Sequence, residues 1–223
     1  MERITVVIPA LNEEECIGRL VSALPSSLVS EVIVVDNGST DRTAEVARAA
    51  GARVIQQGQR GYGNACAAGA QAASGAVLVF MDADLSDDPA ELPRVVAPIL
   101  NGQADLVLGT RTHVEAGALT PQQVAGNAVA LFLIRLFLGA RLNDLPSFKA
   151  VRREALDRLN LQERTYGWTT ELVVKALRAR LRIVEVPTAY RKRGGGRSKV
   201  AGTVRGTVGA GYAILKVVLR YAF

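Results

Sequence analysis

Histidine, cysteine and aromatic side chains are all scarce in this chain of 223 residues. The one histidine, His113, has no nucleophile elbow to serve and reads as a loop residue, which argues against serine-hydrolase chemistry. The two cysteines, Cys16 and Cys66, fall in helix-like stretches without metal-ligand spacing and read as free, reduced thiols. Aromatics make up 5% of the chain and no recognition motif accompanies them, so the net charge of +6 does not point to nucleic acid. No uninterrupted apolar run reaches the ~18 residues of a membrane-spanning helix. Residues 1–10 run directly into a strand rather than a signal peptide. Glycine is missing from the turn after the first strand, Pro9-Ala10-Leu11-Asn12-Glu13, which excludes a dinucleotide-binding fingerprint. A P-loop is absent. Glu13, Glu14 and Glu15 stand where a sugar-nucleotide pyrophosphorylase would need glycines and a cation.

What is present is enough apolar residue, 49%, for one large α/β domain. Ile4–Ile8 reads as a strand stopped by Pro9, and Asn12 as the cap of a helix to about Leu24. Glu31–Val35 is a second strand, followed by a helix capped by Thr40 or Asp41 and closed by Gly51. Arg53–Gln56 is a third strand, and the glycine-bearing loop 58–63 leads into a helix from Asn64 to Ser74. Val77–Met81 is a strand, Pro89 to Leu100 a helix, and Asp105–Leu108 a strand. This alternation implies right-handed βαβ units and an open, mostly parallel sheet flanked by helices. Beyond Thr110 lie an apolar helix at Val124–Leu138, a helix at Thr169–Arg180, a strand at Leu181–Tyr190 and a basic glycine loop, Arg191–Lys199. Val204–Phe223 has helical polarity: Arg205, Tyr212, Lys216 and Arg220 share one face, with Ile214, Val218 and Tyr221 opposite. The reading is therefore a domain over 1–200 with a basic amphipathic helical segment over 201–223.

The richest stretch is Val77-Leu78-Val79-Phe80-Met81-Asp82-Ala83-Asp84. A buried strand ends in two carboxylates one residue apart, and in extended backbone both can face one small volume. Hard oxygen ligands at the carboxyl end of a parallel strand suit Mg²⁺ or Mn²⁺ and a phosphorylated ligand. A lone Asp-x-Asp is more often a solvated turn. Here Glu13 follows the first strand and Asp36 ends the second, so four acids converge on one sheet edge.

These segments resemble a family. Pro9-Ala10-Leu11-Asn12-Glu13-Glu14, Val34-Val35-Asp36-Asn37-Gly38-Ser39-Thr40-Asp41, Met81-Asp82-Ala83-Asp84-Leu85-Ser86 and Gly109-Thr110-Arg111 are similar to the family 2 glycosyltransferases of the GT-A fold. The likeness is strongest to the dolichyl- and polyprenyl-phosphate mannosyl- and glucosyltransferases. It continues through Asp144–Lys149, Trp168–Glu171 and Arg193 to Ser198-Lys199. The resemblance implies that Pro9, Leu11 and Glu13 border the nucleoside and that Asp36 bonds the base. Asp82 and Asp84 would meet the metal and the donor diphosphate, with Ala83 beside the ribose. Ser86 departs from the glutamine common at that place, and Asn37 from an aspartate. Arg111 would touch the sugar or acceptor phosphate, and Arg193 and Lys199 would neutralise phosphates. Glu171 is the one base candidate, weighed evenly against a polar helix face.

The implied reaction is inverting transfer of a hexose from a nucleoside diphosphate sugar to a lipid phosphate, by a cytoplasmic protein peripheral to the membrane. The alternatives are a soluble or saccharide acceptor, or a non-catalytic nucleotide-sugar-binding subunit.

Overall fold

The computed structural model describes residues 2–196 and 215–221. Seven strands form one sheet in the order β3-β2-β1-β4-β6-β5-β7. They are β1 (Ile4–Ala10), β2 (Glu31–Asp36), β3 (Arg53–Gln56), β4 (Val77–Phe80), β5 (Leu106–Val114), β6 (Lys149–Arg152) and β7 (Ile183–Tyr190). All run parallel except β6, which is antiparallel to both β4 and β5. The helices are α1 (Ile17–Ala23), α2 (Thr43–Ala49), α3 (Tyr62–Ala72), α4 (Leu92–Leu100, after a 3₁₀ turn at Pro89–Glu91), α5 (Pro121–Leu138), α6 (Arg153–Leu159) and α7 (Trp168–Arg178).

The apolar runs explain the layers. Successive side chains of a strand point to opposite faces, so Val6, Ile8, Val77 and Val79 pack with Ile17, Leu20, Val95 and Val96 of α1 and α4. Val7, Ile33, Leu78 and Phe80 pack on the other face with Ala65, Leu156, Trp168 and Leu172 of α3, α6 and α7. Both faces are covered, as unbroken apolar strands require. Strand order reverses at β1, whose neighbours are β2 and β4, and a crevice opens at the carboxyl ends there.

Several local expectations are corrected. β1 continues through Pro9, paired in register with Val35. Asn12 caps no helix: it has φ +52, donates its backbone N–H to Ser39 Oγ (2.9 Å) and accepts from Thr40 N (2.8 Å). Glu13 N–H is likewise taken by Thr43 Oγ1 at 2.8 Å, so α1 starts only at Ile17. These bonds fasten the β1 loop to the β2 loop, a tie across about thirty residues that periodicity cannot reveal. α2 has Arg42 at its cap position and no side-chain cap, so neither Thr40 nor Asp41 is the cap; Asp41 Oδ1 accepts from Thr43 N at 3.0 Å, and Gly51 has φ +96 after the helix end. α3 begins at Tyr62 rather than Asn64. β5 runs on to Val114, which places Arg111 and the exposed His113 on a strand rather than in a loop. The short β6 and α6 were not anticipated.

α5 is longer than its apolar stretch because Thr120 and Gln123 form a reciprocal capping box and Gly139 (φ +67) closes the far end. Its 18 residues make it, among the described residues, the one helix long and apolar enough by length and composition to cross a membrane. Ala130 and Ile134 are buried, whereas Val124, Val129, Phe132 and Leu136 are 54–62% exposed. Residues 215–221 are helical; Val218 is buried and Tyr221 packs with it near α7, leaving Lys216 and Arg220 outward. Arg205, Tyr212 and Ile214 lie outside the described residues.

Glu171, the base candidate, belongs to the fold. Its carboxylate is fully buried in α7, accepts the backbone N–H groups of Gln162 (2.9 and 3.0 Å) and Glu163 (2.6 Å), and pairs with Lys175 at 2.7 Å. Burial alone would raise its pKa; Lys175 and the two amides outweigh this and lower it from 4.5. Its stabilisation is therefore full above the ordinary value and lost as pH falls through the folded one. Glu171→Gln is expected to cost about 1–3 kcal/mol of stability, to flatten the acid limb of a Tm-versus-pH curve, and to leave kcat within about twofold of wild type. Thermal melts and steady-state rates check both.

Candidate active site

A cavity of about 990 Å³ occupies the crevice at the ends of β1, β2 and β4. Pro9, Leu11 and Glu13 line it from β1, and Asp82, Ala83 and Asp84 from β4. Seven of the residues expected from sequence thus meet there, for Arg193 arrives from the chain after β7. Its Nη2 bonds both Glu13 oxygens (2.6 and 2.8 Å) and its Nη1 bonds Asp84 Oδ2. The loop is seated by Gly194 N–H on Asp84 O (2.8 Å) and Gly196 N–H on Glu15 Oε2 (3.0 Å). A Cβ on Gly195 would stand 2.5 Å from Glu15 Oε2, the movable end of a flexible side chain, and 3.1 Å from Glu15 Cβ.

The remaining candidates lie elsewhere. Asp36 is buried behind the wall, where its carboxylate accepts from Ser39 N and from Gln56 Nε2 (both 2.9 Å). Its neighbour Asn37 is the one that faces the cavity. Ser86 sits beneath, its N–H (2.9 Å) and hydroxyl both on Asp84 Oδ1. Arg111 is absent from the wall because Asp144 holds it in a bidentate pair at 2.7 and 2.6 Å, with the guanidinium 5.2 Å from the Tyr190 ring centre. Burial opposes that charge, and Asp144 more than restores it. Glu171 lies under residues 162–163, away from the cavity. Lys199 lies outside the described residues.

Sequence reasoning missed Arg60, Tyr62, Thr120, Gln123, Tyr166, Tyr190 and Lys192, all of which line the cavity. It also missed Asp87 and Lys149 beneath it, both buried. Lys149 opens β6 opposite Phe80, its Nζ 3.0 Å from Thr169 Oγ1 and 5.5 Å from the Trp168 ring centre. Burial lowers its pKa, while Cys66, Asp82 and Asp87 pull the other way. The signal for it was a lysine preceding Ala150-Val151, which reads as a surface residue until β6 is placed inside the sheet.

The acids are crowded. Burial, then the charge of Asp84, pushes Asp82 up to about 6. Burial and the charges of Asp82 and Asp84 push Asp87 up to about 7, and its Oδ1 has no partner, Ser147 Oγ bonding only Oδ2 (3.1 Å). Such a site is short of positive charge. Asp82 and Asp84 present hard oxygens to one cavity and fit a divalent cation in chemistry. No group of three His, Cys, Asp or Glu capable of holding a metal occurs among the described residues, so protein would supply two ligands and the remaining positions would fall to water or phosphate.

Comparison with known proteins agrees with this arrangement. The model of "Glycosyl transferase family 2" matches residues 5–159. An uncharacterized glycosyltransferase of Mycobacterium tuberculosis H37Rv is 40% identical over 208 residues, 93% of this chain and 94% of its own. The undecaprenyl-phosphate mannosyltransferase of Micrococcus luteus is 34% identical over 225 residues, 92% of this chain and 90% of its own. The solved structure of M. tuberculosis glucosyl-3-phosphoglycerate synthase with Mn²⁺, UDP-glucose and phosphoglyceric acid superposes with TM-score 0.77 at 29% identity, covering 97% of this chain and 80% of that one. A sheet with acids at the ends of β1 and β4, a family match over most of that sheet and relatives along nearly the whole length agree: the chain belongs to glycosyl transferase family 2 and is a glycosyltransferase of the GT-A fold.

Proposed function

We propose that this enzyme transfers a hexose, with inversion, from a nucleoside diphosphate sugar to a polyprenyl phosphate, at the cytoplasmic membrane surface and with Mg²⁺ or Mn²⁺ on Asp82 and Asp84. The observation that carries the reading is the distribution of charge around the cavity. Among its lining residues the carboxylates are Glu13, Asp82 and Asp84, all on the β1 and β4 side. The rest of the lining includes Thr120, Gln123, Tyr166, Tyr190 and Lys192. Among the described residues no carboxylate beyond Glu13, Asp82 and Asp84 lines the cavity, Glu115 stands behind Lys192, and Glu171 is committed to the fold. A phosphate monoester is already an anionic nucleophile at neutral pH and needs no general base.

In this reading Pro9 and Leu11 flank the nucleoside and Ala83 the ribose. A bound divalent cation supplies charge stabilisation to the departing diphosphate. Arg193, once released from Asp84, offers its guanidinium to the same oxygens, where charge develops during transfer. Lys192 stands on the acceptor side, 3.8 Å from Glu115 in a loose, exposed pair it can leave. Lys149, bonded to Thr169, acts on Asp82 and Asp87 through its charge from below. Lys199 and Arg111 are assigned to phosphates only through the family likeness, and Asp36 to the base in the same way.

The lipid acceptor is supported by the mannosyltransferase likeness and by α5. That helix contributes Gln123 to the cavity and continues into an exposed apolar face. The second reading, a small soluble phosphorylated acceptor, is favoured by the likeness to glucosyl-3-phosphoglycerate synthase.

Incubation of the enzyme with GDP-mannose, UDP-glucose or UDP-N-acetylglucosamine, each with Mn²⁺ or Mg²⁺, in parallel arms containing a polyprenyl phosphate or 3-phosphoglycerate, is expected to yield a glycolipid. Product in the soluble arm alone would establish the second reading. Asp82→Asn and Asp84→Asn are each expected to lower kcat about 10²- to 10³-fold. Flotation with anionic liposomes is expected to capture the protein less well as salt rises. Replacing Phe132 and Leu136 by serine should abolish capture without affecting turnover of a water-soluble, short-chain acceptor.

A further inference from the structure

We infer that Tyr221 is a positioning residue: the helix of residues 215–221, seated on α7, holds the cavity wall at Tyr166 in place through a chain of hydrogen bonds that passes through Glu171. Three residues on one stripe of α7, Glu171, Lys175 and Arg178, meet Tyr221. Arg178 donates from Nη1 to the Tyr221 carbonyl. Lys175 Nζ stands 4.5 Å from the centre of the Tyr221 ring while pairing with Glu171 at 2.7 Å. The ring packs, partly buried, on the cluster that contains Trp168, Leu172 and Val218. Burial, then the Glu171 carboxylate, raises the pKa of the Tyr221 hydroxyl. That hydroxyl joins Lys175 and the amides of Gln162 and Glu163 in outweighing burial at Glu171. The carboxylate has no contact with water, so each donor to it counts.

From Glu171 the bonds run on to the cavity. Its oxygens take the N–H groups of Gln162 and Glu163, and Lys175 Nζ donates to Asn160 O at 2.8 Å, so α7 fixes the turn at 160–163 from both ends. Glu163 Oε1 accepts in turn from Arg164 N (3.1 Å), Thr165 N (2.9 Å) and Thr165 Oγ1 (2.6 Å). The carbonyls of Arg164 and Thr165 then accept from Asn64 N (2.9 Å) and Gly63 N (3.1 Å) in the first turn of α3. That contact has no slack, since a Cβ on Gly63 would stand 2.7 Å from both Glu163 O and Arg164 C. The next residue, Tyr166, lines the cavity. Residues 160–166 have no regular secondary structure, so this network sets where Tyr166 stands. A hydrogen-bonded network of this kind opens as a local unit. Loss of the hydroxyl at its far end loosens 162–166 and leaves the sheet as it is. The loosened wall weakens substrate capture, whereas the acids at the end of β4, to which these bonds do not lead, keep the chemical step.

The experiment compares wild type with Tyr221→Phe, which keeps the ring and removes the hydroxyl, and with Tyr221→Ala, which removes both. In amide hydrogen exchange, Gln162 and Glu163 of Tyr221→Phe are expected to exchange about tenfold faster or more, with Gly63 and Asn64 following and β1 and β4 unchanged. Tyr221→Ala should show the same pattern, enlarged. The kinetic arm rests on the proposed donor and acceptor: with both held below KM the rate is expected to fall about threefold to tenfold, with kcat at saturation within about twofold of wild type. Exchange at Gln162 and Glu163 equal to wild type in both variants, a rise spread evenly over the sheet, or a rate below KM equal to wild type overturns the assignment. So does a fall in kcat with KM unchanged. Wild-type enzyme that makes no product from any of the donors would instead overturn the proposed function, and the exchange map would still decide the role of Tyr221.

Discussion

Three carboxylates within six residues, Asp82, Asp84 and Asp87, are gathered at the end of β4, and the rest of the site is arranged around what that costs. Desolvated like charges repel strongly in a low dielectric. Three buried or half-buried cations answer them from the protein side: Lys149 from below, Arg111 in its pair with Asp144, and Arg193 from above, on Asp84. Lys149 reaches its place only because β6 is inserted antiparallel between β4 and β5, opposite Phe80. The one strand that breaks the parallel pattern is therefore a strand that delivers a buried countercharge. The compensation is incomplete, since Asp82 and Asp87 are still held well above the ordinary aspartate range. A site left deficient in positive charge attracts a cation, and that deficiency is its chemical character.

The two sides of the cavity are built differently. The side proposed for the donor has β1, β2 and β4 in register and their loops cross-tied through Asn12, Glu13 and Asn37. The side proposed for the acceptor comes from α5 and from the chain after β7, which is seated by Arg193 on Glu13 and Asp84 and by bonds from Arg191, Gly194 and Gly196. Arg111 and Asp144 brace the frame between them, joining β5 to the segment before β6. Such an arrangement keeps the leaving group and its charges fixed while the acceptor's wall can differ between relatives. That is consistent with lipid and soluble phosphates both appearing among the acceptors of similar proteins.

Much of this was legible in the sequence. The apolar runs of β1, β2 and β4, each ending in an acid or a turn, give the layers and place Asp82 and Asp84 correctly. The failures have specific causes. β6 has four residues, begins with lysine and pairs antiparallel, so neither length nor composition marks it. Asp36 and Asn37 are adjacent, and which faces the cavity depends on strand twist and on the loop bonds that Asp36 makes. Glu171 and Arg111 have the residue types that chemistry uses, but buried partners, Lys175 and Asp144, claim them for structure. A sequence shows the candidates for a charge; only the packed chain shows which already have a counter-ion.

The remaining tension lies in α5. Ala130 and Ile134 are buried and Leu133, Phe137 and Leu138 pack partly on the core, each Leu- or Phe-sized side chain being worth about 1.5–3 kcal/mol when fully buried, whereas Val124, Val129, Phe132 and Leu136 are more than half exposed. The Thr120–Gln123 capping box, the closing Gly139 and the bond from Leu145 N to Asn127 Oδ1 (3.2 Å) add to that packing. An apolar stripe of this extent is a standing liability for a surface exposed to water alone. The liability sits on the helix whose first turn lines the cavity, with Lys192 across from it. An acceptor with an anionic head and a long apolar tail has that same polarity over the same distance: phosphate at the cavity, hydrocarbon along the stripe. A small phosphorylated acid would use the first half of this design and leave the second without purpose.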